Sequence, residues 1–257
     1  MIARGPGPYK FNTLEKIRAQ RPKKHISYIR DSCKGKLVLD IGCLDETAYQ
    51  VKSEQAMLHF QIGQVAKSLT GLDNSVELQG EILDTGYSKI YPIDLYSDYL
   101  TTLPKIEFEV VVISMVIEHL PNPIEAIRRI RENFPQSELI ITTTNATGIT
   151  NVAAAMGWRE IQHKDHISTF SYKTLDNVII KSGYTNFFVF SCLVAYPEAK
   201  ARFLNGTLPY PVRVVGASAV YALEKFFNLI EYIFPLFATG LIAHCQPVAK
   251  ENTRYSK

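Results

Sequence analysis

Four residues suited to binding a polar ligand stand at the ends of short apolar runs: Asp40, Gly42, Asp73 and Asp94. A carboxylate accepts hydrogen bonds from hydroxyl and amine groups, and a glycine lets the backbone approach a ligand closely. In parallel sheets, ligands bind in the crevice at the carboxyl ends of the strands. The four residues therefore predict a ligand site at one edge of a sheet.

The elements that must position these residues alternate between strand and helix, as their apolar spacing indicates. The expected strands are Lys36–Cys43, Leu69–Asp73, Ser88–Asp94, Phe108–Met115, Glu138–Thr143, Asn186–Ala195 and Leu241–Val248. The expected helices are Gln55–Ser68, Val76–Thr85, Pro123–Asn133, Tyr172–Ser182 and Ala217–Phe237. This alternation predicts right-handed crossovers and a mostly parallel α/β sheet.

Length and composition fit a globular protein with a large core. The chain has 257 residues, of which 46% are hydrophobic and 21% are charged. We expect an N-terminal cap or helical segment over residues 1–35 and a main domain over 36–250. That domain contains a helical insertion at 197–240, and a flexible tail follows at 251–257.

Charge and cysteine usage exclude several classes of protein. The net charge of +3 is dispersed, and the one dense basic run is Arg18–Lys24, so no nucleic-acid partner is predicted. The cysteines are far apart in sequence and indicate neither a disulfide framework nor a zinc knuckle: Cys33, Cys43, Cys192 and Cys245. Without an apolar secretory segment at the N-terminus, these features predict a cytoplasmic protein.

The expected helix Ala217–Phe237 has apolar residues on one face and polar residues on the other. It is too polar to span a membrane, which needs about 20 mostly apolar residues. We expect this helix to pack against the domain or against a second copy of the chain. Peripheral contact with a membrane surface is the alternative.

Five ordered blocks over residues 36–190 resemble the class I S-adenosylmethionine-dependent methyltransferases. The run Val38-Leu-Asp-Ile-Gly-Cys43 and the acids that end the next two strands are similar to the family's cofactor-binding motifs. Phe108–Pro123 resembles the fourth-strand signature of the branch with quinone and sugar methyltransferases, with Glu109 at the usual aspartate position. Glu138–Asn145 resembles the fifth strand, and Asp165–Leu175 resembles the substrate-side segment.

This resemblance implies a Rossmann-like fold with a mostly parallel seven-stranded sheet, helices on both faces and a helical insertion before the last strand. It implies S-adenosylmethionine as cofactor and S-adenosylhomocysteine as product. Asp40 would lie near the cofactor's ammonium group and Gly42 near its methionine half. Asp73 would accept the ribose hydroxyls and Asp94 the adenine amine. Neighbouring residues would complete the cofactor site: Cys43, Leu44, Asn74, Leu95, Ser114, Met115 and Glu118.

The chain departs from the family pattern after Gly42, where Cys43-Leu-Asp-Glu46 replaces the usual Gly-x-Gly-x-Gly. Gly42 and Asp73 are 31 positions apart, which predicts a longer loop over the cofactor around Ala48–Gln55. The segment Leu58-His-Phe-Gln-Ile62 resembles methyltransferases of surface-glycan gene clusters, which favours a sugar or glycan substrate. A lipophilic small-molecule substrate and a non-catalytic binding protein remain as alternatives.

Methylation of an oxygen usually needs a base, and histidine suits this role near neutral pH. The candidates are His166, His163 and His119, and for His119 a structural contact is the alternative. Asn145 and Trp158 could line the acceptor pocket, although Trp158 fits plain packing equally well. No residues have the sequence spacing of a metal-ligand motif, so no metal is predicted.

Overall fold

The described residues form a nine-stranded sheet. The structure is a computed structural model that describes residues 16–17, 19–44, 57–75, 78, 80–96, 103, 106–194 and 209–247. The strands are β1 (Lys23–Lys24), β2 (Leu37–Ile41), β3 (Ser68–Asp73), β4 (Leu83–Asp84), β5 (Lys89–Pro92), β6 (Val110–Ser114), β7 (Glu138–Thr144), β8 (Phe187–Leu193) and β9 (Gly240–Cys245).

The strand order across the sheet is β1-β8-β9-β7-β6-β2-β3-β5-β4. Strand β9 is antiparallel to β7 and β8, and β4 is antiparallel to β5. All other pairs are parallel. The expected seven strands are all present, and β1 and β4 add two short edge strands.

The direction of winding reverses beside β2. The chain proceeds from β2 outward to β3 and β5, and then returns to place β6 on the other side of β2. A reversal of this kind opens a crevice at the carboxyl ends of the two central strands, where ligands bind in open α/β sheets.

Helices cover both faces of the sheet. They are α1 (His25–Cys33), α2 (Leu58–Gly63), α3 (Pro123–Asn133), α4 (Ile149–Met156), α5 (Tyr172–Lys181) and α6 (Tyr210–Ile233). Helices α1 and α2 pack with Val110 and Val112 of β6, whereas α3 and α5 pack with Val111 and Ile113. Because alternate side chains of a strand point to opposite faces, the continuous apolar run in β6 fills both cores.

Helix α3 has the bounds that the sequence predicts. The side chain of Asn122 accepts a hydrogen bond from the backbone N–H of Glu125 (3.1 Å), and Pro123 occupies the first turn. An N-cap of this type contributes about 1 kcal/mol to helix stability. The inward face of α3 consists of Ala126, Ile127 and Ile130.

The helix expected over Val76–Thr85 is wrong at its C-terminal end. Residues 83–84 form β4, which pairs with β5 through a tight turn in which Thr85 N donates to Ser88 O (3.0 Å). Gly86 takes a φ of +83° in this turn, a conformation that favours glycine. Residues 76, 77 and 79 lie outside the described residues.

The helix expected over Gln55–Ser68 is shorter in the structure, where α2 ends at Gly63 and Ser68 already belongs to β3. A Cβ at Gly63 would lie 2.7 Å from the ring of Tyr87, so the glycine permits that ring to pack against the end of the helix. Residues 55 and 56 lie outside the described part of the chain.

Helix α6 begins earlier and ends earlier than the expected Ala217–Phe237. Pro235 disfavours a helical conformation at the residue before it, and Phe234 accordingly has φ −121° and ψ 79°. A short 3-10 turn, Pro235–Phe237, follows. Contact of α6 with a membrane or with a second chain stays a prediction. Many apolar side chains of α6 are nevertheless exposed: Val212, Val215, Leu223, Phe226, Leu229 and Ile233. No helix in the described ranges is both long enough and apolar enough to cross a membrane.

The inward face of α6 carries a buried acid, Glu231, which is only 1% exposed. Burial raises the pKa of the Glu231 carboxyl to about 7, because hydrogen bonds with Thr239 only partly replace its hydration. The folded state therefore holds the proton more tightly than the unfolded chain does. The protonated Glu231 carboxyl therefore stabilises the fold fully below its ordinary pKa of 4.5, and this stabilisation is lost as the pH rises towards 7.

Glu231→Gln is expected to raise the free energy of unfolding at pH 8, since the amide imitates the neutral acid without its ionisation. At about pH 4.5 the variant and the wild type should be nearly equally stable. Urea unfolding followed by circular dichroism checks this. Glu224→Gln, an exposed position on the same helix, is the matched control and should change stability by less than about 0.5 kcal/mol. A Glu231→Gln variant that is no more stable than wild type at pH 8 would contradict the assignment.

Candidate functional site

The first strand end of the predicted site turns sharply at Gly42. Its φ is +69°, and its backbone N–H donates to Leu72 O of β3 at 2.7 Å. A Cβ at this position would collide with Cγ2 of Val116, which packs directly over the turn. Both the left-handed conformation and the close approach of Val116 require a glycine here.

Asp73 ties the loops after β2 and β3 together. Its Oδ2 accepts from Leu44 N (2.9 Å) and its Oδ1 accepts from Ser75 N (2.8 Å). The carboxylate is 8% exposed, at the carboxyl end of β3. A carboxylate has about four acceptor positions, so these bonds orient the group and are compatible with further hydroxyl donors.

Asp94 lies just beyond β5, beside the end of β3. Its Oδ1 accepts from Tyr96 N (2.7 Å), which orients the carboxylate within its loop. Asp94 and Asn74 are exposed, which is compatible with the predicted contact with a ligand at this edge. The side chain of Leu95 is instead buried in the core beside α3, so only its backbone lies at this edge.

Asp40 has a buried partner that the sequence did not predict. Its Oδ2 lies 2.8 Å from Nδ1 of His59, and Nε2 of His59 lies 2.7 Å from Oγ of Ser88. Asp40 is 2% exposed and His59 is 1% exposed. The pair joins β2 to α2 beneath the predicted cofactor edge, and a role for Asp40 towards an ammonium group stays a prediction.

The side chains of Cys43 and Ser114 point into the protein. Burial raises the pKa of the Cys43 thiol well above its ordinary value, and a Cβ at Gly71 would lie 2.7 Å from its sulfur. Oγ of Ser114 lies 2.9 Å from Oγ1 of Thr142 and 3.2 Å from Nε2 of His25. His25 thereby connects the N-terminal helix α1 to the ends of β6 and β7.

The turn after β6 carries Met115 and Glu118. Met115 has a φ of +55°, which is uncommon for a residue with a side chain and occurs often at functional sites. Glu118 is fully buried, and its Oε2 accepts from Oγ1 of Thr143 at 2.9 Å. Burial raises the pKa of this carboxyl to about 7.

The residues predicted to bind the cofactor follow neighbouring strands. Strands β5, β3, β2 and β6 are neighbours, so the residues after them share one edge. The carboxylates of Asp73 and Asp94 are oriented by backbone N–H donors, and their roles towards the ribose hydroxyls and the adenine amine stay predictions. The turn at Gly42 brings backbone to the same edge. The loop expected over the cofactor, Ala48–Gln55, lies outside the described residues.

The three candidate bases come together although His119 is far in sequence from the other two. The rings of His119 and His166 have centroids 4.6 Å apart, and His163 lies 5.8 and 5.7 Å from them. Burial lowers the pKa of His166, and the neighbouring His119 and His163 lower it further. His119 is exposed, and both its role as a base and the alternative of a structural contact stay predictions.

Two further expectations about the acceptor pocket are wrong. Asn145 is fully buried, and its Nδ2 donates to Leu236 O (3.0 Å) and Ala238 O (2.7 Å), so it fixes the start of β9. Trp158 is 98% exposed, so its indole neither packs in the core nor is enclosed by pocket walls.

His59 and His25 also contact residues of the candidate site, although neither was predicted from the sequence. His59 lies in the Leu58–Ile62 segment, and the resemblance of that segment to other methyltransferases is the one feature of the sequence that could have indicated a role for it. His25 has no comparable signal, because its partners Ser114 and Thr142 are distant in sequence.

A family model described as a methyltransferase domain matches residues 14–187, which is more than half of the chain. A search of curated protein sequences finds no significant match. The small RNA methyltransferase HEN1 is similar in structure, with a TM-score of 0.53 at 13% identity. The match covers 91% of this chain and 27% of that one, and it supports the fold.

Two other solved structures are similar over most of their length. A cyclopropane-fatty-acyl-phospholipid synthase-like protein from Lactobacillus casei has 16% identity, 86% and 88% coverage of this chain and that chain, and a TM-score of 0.47. An S-adenosylmethionine-dependent methyltransferase from Mesorhizobium loti has 14% identity, 86% and 95% coverage, and a TM-score of 0.48.

The fold and the strand-end acids define a Rossmann-like methyltransferase of class I. The chain belongs to the methyltransferase-domain family and is an S-adenosylmethionine-dependent enzyme. The expectations for family, fold class and cofactor are confirmed.

Gly42→Ala is expected to destabilise the protein by more than about 1 kcal/mol, because alanine disfavours a positive φ and its Cβ meets Val116. Val116→Ala alone creates space above the turn. The double variant should be less destabilised than the sum of the two single variants, since the clash disappears while the backbone strain remains. Thermal unfolding of all four proteins checks this. Additive effects would show that Val116 does not restrict residue 42.

Proposed function

We propose that the enzyme methylates a hydroxyl oxygen of a sugar or surface-glycan intermediate. The observation that carries this proposal is an open cavity of about 380 Å³ beside the histidine cluster. Its lining is mainly polar and includes Glu160, Gln162, Lys164, Ser168 and Thr169. Side chains of this kind donate and accept hydrogen bonds with the several hydroxyls of a sugar.

The position of the cavity also supports an acceptor role. The backbone N–H groups of Ile167 and Ser168 both donate to Glu118 O, at 3.0 and 3.1 Å. The cavity wall is thereby attached to the turn that follows β6, next to the predicted cofactor edge. Methyl transfer requires the acceptor in line with the sulfur and methyl of the cofactor, so this attachment would help to align the two substrates.

The histidine cluster is proposed to act on the acceptor hydroxyl. His163 and His166 line the cavity, and His119 contacts both of them from the β6 side. An imidazole within reach of the hydroxyl would favour removal of its proton during transfer. His166 is the least exposed of the three histidines, and its ring lies nearer to that of His119 than the ring of His163 does.

A lipophilic acceptor is the second candidate, and the exposed apolar side chains of α6 favour it. These residues could hold an acyl or prenyl chain while its head group enters the polar cavity.

Calorimetry is expected to detect binding of S-adenosylmethionine and of S-adenosylhomocysteine. Asp73→Ala should weaken both at least about tenfold, because a hydrogen bond to a charged group contributes about 1.5–3 kcal/mol. Asp84→Ala is the matched control, because Asp84 likewise accepts a backbone hydrogen bond, from Gly86 N, within a turn. Asp84 belongs to the edge strand β4, away from the predicted cofactor site. A folded wild-type protein that binds neither ligand would contradict every enzymatic reading.

The acceptor class is tested with methyl-labelled cofactor and extracts of the source organism. Label is expected in the polysaccharide or sugar-nucleotide fraction, and the His166→Ala variant should transfer much less of it. Label in the lipid fraction alone would favour the lipophilic acceptor. Cofactor binding without transfer to either fraction would contradict both acceptor classes.

A further inference from the structure

Three imidazoles converge at the wall of the acceptor cavity, which is more than a single catalytic base requires. The ligand nitrogens of His119, His163 and His166 all lie within 4.8 Å of one another. His119 comes from the 3-10 turn Ile117–His119 after β6, and the other two come from the loop before α5. Their sequence separation explains why no metal-ligand motif was visible in the sequence.

Backbone hydrogen bonds hold the two segments of the cluster together. Ile167 and Ser168 donate to Glu118 O, and His166 N donates to His163 O at 3.0 Å. Glu118 is itself buried, so the turn that carries His119 is anchored in the core. The cluster therefore rests on a fixed scaffold, and the rings of His119 and His163 are exposed.

The geometry is close to that of a three-histidine metal centre. Zinc binds imidazole nitrogens at about 2.0–2.1 Å with tetrahedral angles, which places the nitrogens about 3.4 Å apart. Closure from the observed separation requires movements of roughly 1–1.5 Å, within the reach of side-chain rotation at exposed residues.

Neighbouring groups provide one outer contact of the kind that metal-binding histidines usually have, and one nearby negative charge. Nδ1 of His166 lies 3.2 Å from Oε1 of Gln162, a contact that orients the ring and directs Nε2 as the ligand atom. Oδ2 of Asp165 lies 3.8 Å from Nδ1 of His163, so a negative charge lies beside the cluster and favours a bound cation.

We propose that His119, His163 and His166 bind one divalent transition-metal ion of the class that prefers imidazole ligands, such as Zn²⁺ or Co²⁺. Three protein ligands leave a fourth position that opens towards the cavity. An acceptor hydroxyl in that position would lose its proton to solvent water more readily and would be fixed for methylation, so the bound metal would replace direct proton removal by an imidazole. Only this last step rests on the proposed function, because the site itself requires neither cofactor nor acceptor.

The site is tested on untagged protein treated with a chelator and then titrated with Co²⁺ alone. A visible absorption band that saturates at one ion per chain is expected, and Zn²⁺ should displace it. His119→Ala, His163→Ala and His166→Ala should each weaken Co²⁺ binding by at least about 100-fold, more than the loss of an outer contact usually does. Ile161→Ala, at an exposed position of the same loop, is the matched control and should bind as wild type does.

Calorimetry with S-adenosylmethionine on the same proteins separates this inference from the proposed function. Metal binding that persists in a protein without cofactor affinity supports the site and contradicts the enzymatic proposal alone. Absence of a saturable Co²⁺ band, or equal Co²⁺ affinity in wild type and in all three histidine variants, overturns the metal site.

Discussion

The left-handed turn at Gly42 is the constraint on which the predicted cofactor edge depends. It lets the chain leave β2 while its backbone remains bonded to β3, and it brings Leu44 within reach of Asp73. Val116 closes over the turn from β6, so the loops after three strands are mutually fixed. The family's usual additional glycines are absent, yet this first glycine alone meets the conformational requirement at the strand end.

The parts of the fold with strong local signals could be predicted from the sequence. Strand β6 has consecutive β-branched residues, and α3 has a capping residue, a proline and an apolar face, so each pattern admits one structure. Edge strands β1 and β4 have two residues each, and they exist only because β8 and β5 lie beside them. Pairing with a distant partner overrides local propensity there, which is why the helix expected before Thr85 does not continue.

Within the candidate site, the sequence indicates which residues lie at strand ends, but it does not indicate their hydrogen-bond partners. An acid at the end of an apolar run is visible in the sequence, and Asp73 and Asp94 lie where the runs end. The pairing of Asp40 with His59 depends on how α2 packs against β2. Asn145 similarly looked like a pocket residue, because the backbone carbonyls that hold it belong to a segment far along the chain.

The exposure of Trp158 has a spectroscopic consequence. It is the only tryptophan of the chain, and its indole lies in solvent two positions before Glu160 of the proposed acceptor cavity. Tryptophan fluorescence therefore originates from one surface loop. The hydrophobic cores contribute only tyrosine fluorescence, which is excited at shorter wavelength. Quenching or a wavelength shift of the tryptophan emission would report events at the cavity rim, and global loss of structure would leave it almost unchanged.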